Sequence, residues 1–146
     1  MSDPDLLRLI ALDDEDLQVL SAHLQDAVLK VEDIKWLSRQ KRLVIGLNRF
    51  AWEAAVQGGS HQRRRAALHF ERVEKVQCNG LDPRAKDGVL ALLAIQFKQT
   101  ESPSGEVLLL FSGEGTLRLQ VECLEAQLCD LGPAWSTPCV PRHSLA

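Results

Sequence analysis

The segment Ser112-Gly113-Glu114-Gly115 stands between two short apolar runs, Val107–Phe111 and Leu117–Val121. A short glycine-bearing segment between two such runs reads as a hairpin loop, with the runs paired antiparallel. The same pattern recurs upstream. Ile34 and Trp36, then Leu43, Ile45 and Leu47, alternate with polar or small neighbours on either side of Ser38-Arg39-Gln40-Lys41. Ala66, Leu68 and Phe70 alternate in turn, and Val73 and Val76 lead to the turn signal Asn79-Gly80. Strands joined this closely pair antiparallel, because a parallel pair needs a crossover of about a dozen residues or more.

Helical periodicity is confined to the two ends of the chain. Leu6–Leu12 reads as a first short strand, and Asp13-Asp14-Glu15-Asp16 then supplies a capping carboxylate and acids for the positive end of a helix. Leu17, Leu20, Leu24 and Ala27 follow at three- and four-residue spacing, the buried stripe of that helix. Val89–Phe97 is a nearly continuous apolar run with the length of a strand buried on both faces, ended by Ser102-Pro103-Ser104-Gly105. Leu124, Leu128 and Leu131, with Gly132 and Pro133 as stop signals, predict a closing helix. Gln57-Gly58-Gly59-Ser60 is a loop.

The expected fold class is α+β, mostly antiparallel, with about seven to eight strands, an N-terminal helix and a C-terminal helix. A pleckstrin-homology-like barrel has this layout; an open antiparallel sheet with both helices on one face is the alternative. Residues 1–132 form the expected single domain. Residues 133–146 form a C-terminal tail with three prolines, which Trp135 is large enough to anchor.

The chain has 146 residues, 45% apolar and 25% charged, which excludes a disordered, collagenous or coiled-coil chain. Met1-Ser2-Asp3-Pro4-Asp5 carries two acids and no base, unlike a secretory signal, so a cytoplasmic location is expected. Cys78, Cys123 and Cys129 are then expected as small buried hydrophobes and Cys139 as a tail thiol, with no C-x-x-C pair to suggest zinc. The phosphate cradle of nucleotide enzymes, H-E-x-x-H and G-x-S-x-G are all absent, and Gly113 and Gly115 form a G-x-G only within a hairpin. No catalytic residue, cofactor or metal is assigned. The Asp13–Asp16 acids are read as a helix cap rather than a metal cluster.

Charge is unevenly distributed. From Lys30 to Lys75 there are 11 bases and 5 acids, a net of +6; the rest of the chain, with 6 bases and 15 acids, carries −9. Trp36, Phe50 and Trp52 lie among these bases. The candidate contact residues are Arg49, Trp52, Arg63, Arg64 and Arg65. On a strand, Arg63 and Arg65 share one face, while Arg64 joins Ala66 and Leu68 on the other.

Three readings of this segment are open. The bases form a solvated face paired with the acidic flanks; they meet an acidic protein partner, making the chain a non-enzymatic binding or scaffold module; or they hold a nucleic acid or other polyanion, with rings stacking on bases. A separate alternative is an enzyme built around His23 and Asp26, three residues apart on one helix face.

Four separated stretches in order carry a family resemblance: Ser21–Val28, Leu47–Glu53, Arg63–Phe70 and Val121–Leu128. Together they resemble an alphaproteobacterial family catalogued as domain of unknown function twenty-nine forty-eight, from about Leu6 to Trp135. The resemblance implies a bacterial, cytoplasmic, single-domain protein. It carries no activity, ligand or catalytic residue with it.

Overall fold

The computed structural model describes residues 6–50, 62–132 and 135–136. The strands in chain order are β1 (Arg8–Ala11), β2 (Ala27–Lys30), β3 (Ile34–Leu37), β4 (Arg42–Phe50), β5 (Gln62–Phe70), β6 (Val73–Asn79), β7 (Val89–Gln99), β8 (Gly105–Phe111), β9 (Thr116–Val121), β10 (Ala126–Asp130) and β11 (Trp135–Ser136). Helix α1 (Asp14–His23) follows β1. Asp13 caps it, accepting from the Asp16 N–H at 2.8 Å.

All the strands join one antiparallel sheet, in the order β1-β10-β5-β4-β2-β7-β8-β9-β6. β3 pairs with β4, and β11 with β5. Alternation sets which face turns inward: Leu43, Ile45 and Leu47 on β4 and Ala66, Leu68 and Phe70 on β5 are fully buried. They share a single core with Leu109 of β8, Leu119 of β9, Leu128 of β10 and Leu17, Leu20 and Leu24 of α1. One core fed from both ends of the strand order requires the sheet to curl around it. α1 packs against β1 and β7, where the Ser21 hydroxyl accepts from the Ile95 N–H at 3.0 Å.

This architecture corrects the expected fold class. It is an open sheet of eleven strands with one α-helix among the described residues, not seven or eight strands between two helices, and it is not the pleckstrin-homology-like layout. The expected closing helix is strand β10. Leu124, Leu128 and Leu131 have helical spacing, but Ala126, Leu128 and Asp130 share the buried face of a strand paired to β1 on one side and β5 on the other. A segment flanked by two partners gains a hydrogen-bond ladder on each edge, which spacing along the chain does not register.

β7 is a strand, as its length predicts, but it is not buried on both faces. Leu92 and Ile95 face the core, whereas Val89 and Leu93 are exposed, and the register is irregular between Leu92 and Ala94. Trp135 lies in a strand that pairs with Arg63. The Gln57–Ser60 loop, Trp52 and Cys139 lie outside the described residues. Among the cysteines, Cys78 is exposed and Cys123 and Cys129 are half-buried, so none of the three is the fully buried hydrophobe expected.

Candidate functional site

Two of the four arginines marked out by sequence, Arg49 and Arg64, turn inward. Arg49 on β4 and Arg64 on β5 stand directly opposite each other in the ladder. Arg49 makes a two-pronged pair with Asp130 of β10, Nε to Oδ1 at 2.7 Å and Nη2 to Oδ2 at 2.8 Å, with both side chains fully buried. Arg64 Nε lies 4.0 Å from the same carboxylate, and the Leu7 N–H donates to it at 2.8 Å. Such a cluster braces the sheet: a buried charge is tolerated where it is paired and hydrogen-bonded.

Arg63 and Arg65 occupy the opposite face, as alternation predicts. Arg63 lies over the Phe50 ring at 5.8 Å, and its Nη1 donates to the carbonyls of Asn48 at 3.2 Å and Asp26 at 3.5 Å. Arg65 meets Asp33 at 3.3 Å and the Asn48 side chain at 3.4 Å, lying over Gly46. A Cβ at Gly46 would stand 2.6 Å from Arg65 Nη2, so the glycine admits the guanidinium. His23 ends α1, and Asp26 turns the chain into β2 with φ +64°. The five-residue basic site is therefore not a common exposed patch: Arg49 and Arg64 are internal, Arg65 is paired, and Trp52 is outside the described residues.

The other central bases divide clearly. Lys41 pairs with Glu122 at 2.7 Å, Arg42 with Glu71 at 2.7 Å, and Arg72 reaches Glu125 at 3.7 Å and Glu122 at 3.9 Å. The hydrogen bond from Lys41, then its charge, holds Glu122 below the ordinary glutamate range. The same bond and then the Glu122 charge raise Lys41. Lys30 at the end of β2, Lys35 on β3, Arg39 in the turn after β3 and Lys75 on β6 are exposed and make no ion pair with a described residue.

Lys35, Arg39 and Lys75 lie on or beside the two strands that border a seam in the sheet. Among the described residues β6 ends the strand order and pairs only with β9, and β3 pairs only with β4. The two strands approach at one end, where the Val73 N–H donates to the Lys41 carbonyl at 2.8 Å. At the other end, Val31 and Glu32 N–H groups bond to the carbonyls of Gly88 and Lys86 at 2.9 and 3.1 Å. Between these ties lies a cavity of about 210 Å³ lined by apolar groups, among them Ile34, Trp36, Leu43, Val76, Leu81 and Leu117. Trp36 is 37% exposed at this opening.

Reasoning along the chain reads Ile34, Trp36 and Val76 only as members of alternating strands. Trp36 offers one usable signal, an aromatic between Lys35 and Arg39 in the basic segment. Nothing local says that β3 and β6, far apart in sequence, border the same opening.

A family model described as protein of unknown function (DUF2948) matches residues 7–143. The chain belongs to this family. No curated protein and no solved structure matches it. The family expected from the four stretches is thus the one found, over nearly the whole DUF2948 chain. Among the described residues no helix is long and apolar enough to cross a membrane, and no group of three His, Cys, Asp or Glu is placed to hold a metal ion.

Proposed function

We propose that this protein is a non-enzymatic binding module of the cytoplasm that contacts an acidic protein partner through the seam between β3 and β6. One observation carries the reading: an apolar opening containing a partly exposed tryptophan lies between strands that bear Lys35 and Lys75, exposed cations without an ion pair to a described residue, with Arg39 in the adjoining turn. Apolar surface with an aromatic anchor supplies affinity, and a rim of one charge sign supplies partner choice and encounter rate. Arg49, Arg64 and Arg65, on which both the protein-partner and the polyanion readings of the sequence rest, already meet Asp130 and Asp33; the apolar lining of the seam favours a protein partner over a polyanion.

The test is selection of phage-displayed random twelve-residue peptides on the intact protein. Peptides rich in Asp and Glu with apolar residues between them are expected. Their binding should fall at least tenfold with Lys35→Glu/Arg39→Glu/Lys75→Glu, and should weaken with added salt. Failure to enrich any peptide, or peptides held equally by the charge-reversed protein and by Trp36→Ala, would refute the reading.

A further inference from the structure

We infer that the partner segment enters the seam as an extended strand added to the free edge of β6, with apolar side chains inward and acidic ones outward; this rests on the seam being the contact surface. The first support is the backbone. β6 pairs with β9 in unbroken register from Lys75↔Gln120 to Asn79↔Thr116, and its irregularity is confined to Val73–Lys75. The regular part therefore presents one edge without a strand partner among the described residues, and at roughly 3.3 Å per residue it is about 16 Å long. An edge of this kind is a template for another strand unless something covers it.

The second support is the match between side-chain period and chemistry. A strand's residues alternate between faces. On the inner face the seam shows Ile34 and Trp36 from β3 and Val76 and Cys78 from β6, over Leu43 and Leu117. Lys35 lies between the two β3 residues and Lys75 directly precedes Val76 in the regular register, so both belong to the outer face. An incoming strand beside β6 would set every second side chain over the apolar cavity and the others level with those cations. Glu74, the nearest acid on β6, belongs to the Lys41–Glu122 group instead.

The occupant this selects alternates apolar with acidic residues. A second copy of β6 does not fit the outer face, since its regular part brings Lys75, Gln77 and Asn79 there and no acid. A compact apolar molecule would fill the cavity and leave both the strand edge and the cations unused.

The decisive experiment takes the selected twelve-residue peptides and methylates their backbone nitrogens one at a time. Methylation should cost at least tenfold in affinity at alternate positions and less than twofold at those between. Amides within Lys75–Asn79 should also gain hydrogen-exchange protection when the peptide binds. Uniform tolerance of methylation, with binding still abolished by Trp36→Ala, would overturn strand addition and leave the seam standing. Binding indifferent to both Trp36→Ala and Lys75→Glu, or absence of any selected peptide, would overturn both. Lys75→Glu alters an exposed side chain and keeps the test valid should Trp36→Ala fail to fold.

Discussion

Asp130 joins two arginines and the entry to β1 on a single carboxylate. Its removal leaves the Arg49 guanidinium buried without this counter-charge, so Asp130→Ala should lower stability by about 3–5 kcal/mol in urea unfolding. The paired replacement Arg49→Met/Asp130→Leu should recover most of that loss, since it removes both charges; recovery of less than half would contradict a simple ion-pair account. Lys41 and Glu122 behave differently because they are exposed. Glu122, with its pKa depressed, favours the folded state above its unfolded pKa, and this is lost as pH falls through the lower folded value. Lys41, raised, contributes below its unfolded pKa and loses that contribution as pH rises through its folded value. Carboxyl titration by NMR should place Glu122 below an exposed glutamate, with the displacement lost in Lys41→Met and shrunken in high salt. Alternation alone is enough to place Arg64 on the Ala66 and Leu68 face. It cannot supply the neighbour Asp130, which lies far away along the chain.

At the scale of elements, α1 and the turn after β6 give the clearest tests. Asp13→Ala removes the cap on Asp16 and should cost about 1 kcal/mol, measured as a lower unfolding midpoint. Gly80 has φ +70°, and a Cβ there would lie 2.6 Å from the Glu114 carbonyl oxygen. Gly80→Ala should therefore cost more than about 1 kcal/mol, since both the torsion and rigid backbone oppose it. A stability change near zero would mean that the turn relaxes freely. The α1 cap, the Asn79-Gly80 turn and the 112–115 hairpin are legible in the sequence because each depends on adjacent residues. β10 reads as a helix for the converse reason: its strand state comes from β1 and β5, which are remote in sequence.

For the whole molecule, α1 and both ends of the strand order share one core, so the protein should unfold as one unit. Leu20→Ala in α1 and Leu119→Ala in β9 should each cost about 2–5 kcal/mol and shift the same transition. Tryptophan fluorescence and far-ultraviolet circular dichroism should report coincident midpoints; separate transitions would argue for independent halves. The candidate site shows the same division between local and distant. Excess positive charge in the middle of the chain is countable, but which cations lack a carboxylate depends on Asp33, Asp130 and the acids after β9. Period-two hydrophobicity and short turns by themselves determined that this chain makes an antiparallel sheet, because those signals arise from neighbouring residues and backbone geometry. Folding decided that the sheet curls with β3 and β6 bordering an opening, and that Arg49 is a buried brace, because those outcomes depend on which distant groups meet.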